Sequence, residues 1–313
     1  MLGLIRLFLA LGLIVFVIWK FIPIGIDYVD FDCLLWASLA IQPLVLISLV
    51  FQSIRLGLLA GLPHMQIRRP LSAVLLSQGL NLALPGRVAE AFKATYLRAY
   101  ADVPLSRGMA AVFLERSVDM IIVALLGLLG VVLLSKGSNW IAFCVAGILM
   151  LFLISIPLLE NRLLLLTKIL PWVRLRGFFE SFLQHVADKV RGGTFYYALA
   201  LGGMAWIASF ANIYLFVNIA GAKPVDFGGI MLVFVATTIG GAVPALPGGF
   251  GGYEAAAVMA LKPYGYTFED ALPLAIVMHL SQLLLPVLGA GLILTKERVG
   301  ISALIKQLRS VVD

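Results

Sequence analysis

The chain has 313 residues, of which 62% are hydrophobic and only 12% are charged, and its mean hydropathy is +1.05. A soluble domain carries roughly 25% charged residues, so this composition excludes a soluble protein with a polar surface. The net charge of +7 does not indicate nucleic-acid binding, because basic residues beside apolar spans mark cytoplasmic loops. We expect one membrane domain over residues 1–313, with no nucleic-acid partner, metal or cofactor.

Six apolar runs are long enough to cross a bilayer, which needs about 20 helical residues. In chain order these runs are residues 2–22, 33–62, 107–135, 140–159, 194–220 and 271–295. Two shorter apolar stretches, residues 71–84 and 227–243, each lead into a Leu-Pro-Gly and a second short helix-like piece. Broken helices are tolerated at membrane depth where they are buried in protein or line a cavity. The pattern predicts an all-α polytopic membrane protein with about six full transmembrane helices and two re-entrant helical hairpins.

Basic residues are concentrated in three connections: segments 62–107, 160–191 and 296–313 hold 16 of the 23 Lys and Arg residues. Because cytoplasmic loops are enriched in Lys and Arg, these segments are expected inside the cell, with both termini cytoplasmic. The segment 163–190 mixes apolar and basic residues. Such a mixture suits either a helix lying on the anionic inner leaflet of the cell membrane or a plain connecting helix.

A repeat links the two broken helices. The string around Leu84-Pro85-Gly86 recurs around Leu246-Pro247-Gly248, at an offset of 162 residues for the prolines and 164 for Glu90 and Glu254. The chain crosses the membrane an odd number of times between the copies, so the second copy is expected to be inverted, as in many secondary transporters. We assign residues 1–32 to the first span and an external loop, 33–135 to repeat one, 136–192 to a connecting span and a cytoplasmic amphipathic helix, and 193–298 to repeat two.

The breaks themselves are candidate substrate sites. Proline and glycine free backbone N–H groups, and the half-helix after each break points its N-terminal dipole at the break, which favours an anion. Two opposed hairpins would meet near the midplane, where an alternating-access site belongs. We therefore assign Pro247, Gly248 and Gly249 to the substrate site. Close helix packing around small residues is the alternative.

Ionisable side chains within a span are costly and are functional candidates. Arg116 and Asp119 are three residues apart and can pair, while Glu115 shares a face with Asp119. Two carboxylates against one arginine leave one negative charge, which we expect to be held by a proton or by Arg87 or Lys93. A salt-bridge network that only holds helices in register is the alternative.

Two other polar positions are informative. The repeat offset of 163 places His279 where the first copy has Arg116, near the middle of the last span. His279 is either a proton shuttle or phosphate contact, or a satisfied core histidine. Arg55 lies near the end of its run, so we expect it to snorkel to the interface while Arg116 lies deeper. No role is assigned to Trp206, Asn212 or Tyr253.

Three blocks resemble the flippase-like membrane family that includes the transmembrane part of lysylphosphatidylglycerol synthase, the multiple peptide resistance factor. The blocks are residues 81–97 around Leu-Pro-Gly-Arg, 114–119, and 246–254 with Pro-Gly-Gly, and the resemblance extends over 42–295. It implies movement of amino-acylated phospholipids, or of polyprenyl-linked and other glycolipids, between leaflets. It also implies roles for Arg87, Glu90, Glu115, Arg116, Asp119 and Glu254. Ala89, where the family usually has glycine, and His279, where it has arginine, bear on substrate choice.

These observations predict a lipid translocator rather than an enzyme, binding an anionic headgroup where the hairpins meet. We expect the soluble aminoacyl-transferase part of the synthase to be missing, so that a partner synthase or glycosyltransferase makes the lipid. Two alternatives stay open: a membrane enzyme with Glu115 and Asp119 as acid and base, and a non-transporting scaffold. The candidate substrate-binding residues are Arg87, Glu90, Lys93, Glu115, Arg116, Asp119, Pro247, Gly248, Gly249, Glu254 and His279.

Overall fold

The computed structural model describes residues 31–63, 66–82, 89–134, 164, 167, 173–242 and 247–296. Within these ranges the chain is helical, as its composition predicts. The helices are α1 (Phe31–Ala40), α2 (Gln42–Ala60), α3 (Arg68–Asn81), α4 (Ala91–Ala101), α5 (Leu105–Leu134), α6 (Val173–Arg191), α7 (Thr194–Ala220), α8 (Phe227–Ala242), α9 (Gly252–Leu261) and α10 (Phe268–Lys296).

Three helical segments among the described residues are long and apolar enough to cross a membrane. They are Asp32–Ala60, which combines α1 and α2, Thr194–Ala220 and Phe268–Lys296. Helix α5 has 30 residues but carries Arg107, Glu115, Arg116 and Asp119 in its first half. The membrane-spanning character predicted from the sequence is confirmed. The predicted spans at 2–22 and 140–159 lie outside the described residues, so the count of six spans and two re-entrant hairpins stays a prediction.

Local chemistry sets where the helices end. Helix α2 has Pro43 in its first turn, where a missing N–H costs nothing, and it ends at Gly61, whose left-handed φ of 78° lets its N–H bond back to Gly57 and Leu58. Helix α10 continues through Pro273 and Pro286. Prolines are tolerated inside membrane helices because neighbouring groups satisfy the freed carbonyls.

The helices pack closely through small residues. At Gly79 of α3, an added Cβ would lie 2.9 Å from the backbone oxygen of Pro286 and would overlap Ala290 of α10. Without a hydrophobic force between helices in lipid, such close contact is a main source of helix association. Helix α2 packs along α7, α3 packs against α10, and α8 packs against both α9 and α5.

Helix α6 covers the end of α2. The ring Nε2 of His185 lies 2.8 Å from the carbonyl oxygen of Leu59, and Nζ of Lys189 donates to the carbonyl of Leu58 at 3.0 Å. The last carbonyls of a helix have no partner within the helix, and cations near that end also complement its dipole. The described part of the segment predicted to be amphipathic, Val173–Arg191, is helical, and it packs on the bundle through these contacts and the buried Val186.

Candidate functional site

Six ionised side chains from α2, α5 and the start of α4 form a closed ring of alternating charge. We call this set the charge ring. In order around the ring, its members are Arg55, Asp119, Arg116, Glu90, Lys93 and Glu115. Every cation contacts at least two carboxylates, and every carboxylate contacts at least two cations; Nη2 of Arg116 also lies 3.9 Å from Oε2 of Glu115, across the ring. Three positive and three negative charges therefore cancel.

The contacts around Arg55 are short. Its Nη1 donates to Oδ1 of Asp119 at 2.7 Å, and its Nη2 donates to Oε1 of Glu115 at 3.1 Å. Lys93 Nζ donates to the other oxygen of Glu115 at 2.8 Å, and Arg116 Nη2 lies 3.0 Å from Oδ2 of Asp119. Charge-assisted hydrogen bonds of this kind offset the large cost of taking ions out of water.

The other half of the ring closes on Glu90. Nζ of Lys93 lies 2.9 Å from one oxygen of Glu90, and Nη1 of Arg116 lies 3.6 Å from the other. The side chains of Arg55 and Lys93 are 1% exposed, whereas Arg116 is 33% exposed. The more exposed side of the ring is thus the side of Arg116.

One expectation from the sequence is wrong, and it concerns Arg55. The negative charge that Arg116 leaves over is met by other cations, because Arg55 and Lys93 both contact Glu115. Arg55 does not snorkel outward but is the more deeply buried arginine. The pairing of Arg116 with Asp119 at three-residue spacing and the use of Lys93 as a further cation are confirmed.

The corresponding region of the second half contains a single, nearly buried pair. Nδ1 of His279 lies 2.7 Å from Oε1 of Glu254, and the imidazole stacks on Tyr253 with ring centroids 4.0 Å apart. The other oxygen of Glu254 accepts from the backbone N–H of Gly251 at 2.7 Å and caps helix α9. The helix N-terminus that the sequence offers to a bound anion is therefore already occupied by the carboxylate of Glu254.

The second break, at Pro247-Gly248-Gly249, has the left-handed backbone conformation that its glycines predict. Gly248 and Gly249, which follow Pro247, have φ values of 74° and 81°, in the left-handed region that favours glycine. A Cβ at Gly249 would lie 2.8 Å from the backbone oxygen of Gly241, so this glycine serves close packing. Gly248 instead lines a cavity. The first break, with Pro85, Gly86 and the candidate Arg87, lies outside the described residues.

A cavity of about 300 Å³ lies between α2, α3, α7, α8 and α10, next to the second break. It is at the small end of the roughly 300–1,000 Å³ range of ligand pockets. Most of the wall groups that can form hydrogen bonds are uncharged amides and hydroxyls. The polar wall residues are Ser48, Gln52, Gln78, Trp206, Ser209, Asn212, Thr237, Thr238, Tyr253, His279 and Gln282.

One side of the cavity wall is ordered by a hydrogen-bond relay. Nε2 of Gln78 donates to Oε1 of Gln52 at 2.8 Å, and Nε2 of Gln52 donates to Oγ of Ser48 at 3.1 Å. Oγ of Ser48 is in turn 3.1 Å from the hydroxyl of Ser209. Because each amide is held by a neighbour, the wall presents fixed polar groups to the cavity.

Trp206 joins the cavity to the charge ring. Its indole lines the cavity, and its Nε1 donates to Oδ1 of Asp119 at 3.0 Å. The indole packs edge to face against the aromatic ring of Phe234, with centroids 5.8 Å apart. A shift of the Trp206 side chain therefore changes both the cavity wall and one of the hydrogen bonds that Asp119 accepts.

Sequence reasoning gave no role to Trp206, Asn212 and Tyr253, although all three line the cavity. One signal was available: Trp206, Ser209 and Asn212 recur every three residues on an otherwise apolar helix. On α2, Ser48, Gln52 and Arg55 recur at spacings of four and three. Such spacing places polar groups on one face of a membrane helix, which marks the face turned away from lipid.

The helices and the buried polar groups define an integral, all-helical membrane protein with an internal cavity. The sequence matches the family model of the lysylphosphatidylglycerol synthase transmembrane region over residues 3–290, and the chain belongs to that family. No curated protein and no solved structure matches the chain. The family resemblance noted from the sequence is confirmed, and it associates the chain with membrane lipids.

Proposed function

We propose that this protein is a lipid translocator of the cell membrane, which passes a lipid headgroup through the cavity while the acyl tails stay in the bilayer. The main support for this proposal is the position of the polar cavity. All three candidate spans contribute residues near the middle of their length, represented by Ser48, Ser209 and Gln282. A hydrated or ligand-filled site at mid-depth is where a transporter that alternates between two faces binds its substrate.

We further propose that the two halves of the chain form the inverted repeat, with two re-entrant hairpins among six spans and both termini cytoplasmic. Helices α1 and α7 begin 163 residues apart, as do α5 and α10. Packing is reciprocal, because α3 contacts α10 while its counterpart α8 contacts α5. The ion pair of Glu90 with Arg116 has its counterpart in Glu254 with His279. These correspondences support two halves related by a pseudo-two-fold axis.

The geometry supports transport over catalysis at Glu115 and Asp119. Each of these carboxylates is held by two cations of the charge ring, so each is stabilised in its ionised form and is a poor proton donor. Glu115 is also fully buried and does not line the cavity. We therefore propose that a separate synthase or glycosyltransferase makes the lipid that this protein moves.

Leaflet-resolved lipid assays in proteoliposomes that contain only this protein test the proposal. Thr238 lines the cavity, and the next residue, Ile239, is exposed on the outside of α8. We expect Thr238→Phe to fill the cavity and stop lipid movement, while the matched Ile239→Phe leaves it unchanged. Chemically converted lipid would support the enzyme alternative, and neither movement nor conversion of any lipid would support the scaffold.

A further inference from the structure

We infer that the cavity selects a lipid with an uncharged, hydroxyl-rich headgroup, such as a sugar or a free glycerol, over an anionic or lysylated one. The inference rests on the proposed function and names its substrate class. It follows from the chemistry of the wall, where amides and hydroxyls each provide both donors and acceptors. Every hydroxyl of a polyol also both donates and accepts, so these wall groups can form hydrogen bonds with it in either direction.

An anionic headgroup finds no cation on the described part of the wall, which contains neither lysine nor arginine. The nearby cations Arg55 and Lys93 are each held by two carboxylates and are closed off from solvent. The N-terminus of α9 is already capped by Glu254. Binding a phosphate in this cavity would therefore remove it from water without a compensating charge, which is strongly unfavourable.

A lysylated headgroup meets the opposite problem. Among the described residues, two carboxylates contact residues of the cavity wall. Asp119 accepts from Trp206 and is already held by Arg55 and Arg116. The other is Glu254, which is bonded to His279. Both of its oxygens are engaged, one by His279 and one by the N–H of Gly251. An ammonium group in the cavity would have to break the cap of α9, or displace a cation of the charge ring, to gain a carboxylate partner. Neutral hydroxyls require no such rearrangement.

A second, independent observation points to a ligand. Asn212, a residue only 3% exposed, lines the cavity, and its buried Oδ1 has no hydrogen-bond partner among the described residues. Buried polar atoms in native proteins are nearly always satisfied, so an orphaned acceptor calls for a missing donor. In the proposed complex, a hydroxyl of the headgroup supplies that donor.

The test measures movement of three lipids in proteoliposomes of the whole protein: glucosyl-diacylglycerol, phosphatidylglycerol and lysyl-phosphatidylglycerol. Faster movement of the glucosyl lipid than of phosphatidylglycerol supports the inference, whereas equal movement of phosphatidylglycerol, whose headgroup carries an anionic phosphate, overturns it. Preference for lysyl-phosphatidylglycerol overturns the inference but leaves the translocator proposal intact. Movement of none of the three, while other lipids move, also overturns the inference; no movement of any lipid refutes the proposed function itself.

A matched pair of variants separates ligand binding from folding. Asn212→Leu removes the orphaned acceptor, whereas Asn218→Leu changes an exposed asparagine on the same helix that bonds to the carbonyl of Tyr214. We expect Asn212→Leu to slow movement of the glucosyl lipid about tenfold, the loss typical of one hydrogen bond to a neutral group. Its thermal stability should equal or exceed that of Asn218→Leu. Unchanged movement, or a slowing that follows lost stability, would overturn the role of Asn212 and the assignment of the cavity.

Discussion

Replacing Arg55 by methionine tests the charge ring most directly. The change keeps the apolar stem but removes a cation that contacts Asp119 at 2.7 Å and Glu115 at 3.1 Å. The ring would then hold three carboxylates and two cations inside the bundle. Removing one partner of a buried ion pair typically costs about 3–5 kcal/mol, because the other charge stays buried. We expect a loss in this range for Arg55→Met, and a smaller loss of about 1 kcal/mol for the partly exposed Arg116→Met.

Unfolding of the purified protein by SDS in mixed micelles, followed by tryptophan fluorescence, measures these free energies. Arg176→Met is a matched control, because Arg176 pairs with Glu180 at 2.8 Å but both side chains are more than 30% exposed. Its cost should be about 0.5 kcal/mol or less.

A double variant completes the cycle. Combining Arg55→Met with Asp119→Asn restores charge balance, so we expect it to recover much of the loss and to reveal a coupling of at least about 1 kcal/mol. Strict additivity of the two changes, or a cost for Arg55→Met no larger than that of Arg176→Met, would refute the account of a closed and balanced ring.

Two further predictions concern close packing and pH. Gly202→Val should destabilise the protein, because a Cβ there would lie 2.8 Å from Nη1 of Arg55 and 2.7 Å from Val118; thermal unfolding equal to wild type would contradict this contact. Burial lowers the pKa of His185 below its ordinary value of about 6.5, against the opposing effect of its bond to Leu59. Because the folded-state pKa is depressed, the folded state favours the neutral imidazole of His185. The resulting contribution to the free energy of unfolding is present above about pH 6.5 and is lost as the pH falls through the folded-state pKa. The protection of α6 against hydrogen exchange, relative to the intrinsic rate at each pH, should therefore fall on acidification, and His185→Gln should remove that response.

The long helices follow from hydropathy alone, because a span of apolar residues has few other stable states in lipid. The buried side chains were harder to assign. The position of a residue along a span gives its depth in the membrane, and from depth alone Arg116 was expected to be more buried than Arg55. The exposed fractions of the two side chains, 33% and 1%, show the reverse. Burial depends instead on which neighbour covers a side chain. Arg55 lies against Gly202 of α7, a contact between residues far apart in sequence.

The cavity shows the same limit. Asn212 and Trp206 carry ordinary polar atoms, and their importance comes from the face of α7 that meets α2 and α8. That face can be read from three-residue spacing, but its partners require the fold. The charged residues of α5 were recognisable because ions are rare in apolar spans. Their partners Arg55 and Lys93 come from separate helices, and only packing brings them together.

The balance of the charge ring has an electrical consequence. Moving one elementary charge across a membrane at 100 mV involves about 2.3 kcal/mol, so a transporter that displaces unpaired charge is driven or opposed by the voltage. The ring holds three cations and three carboxylates that face one another in pairs. If it moves as a unit, the displaced charge is zero and the membrane potential does no work on it. Under the proposal that the protein moves an uncharged lipid, this movement would be electrically silent and would follow the difference in lipid concentration between the leaflets.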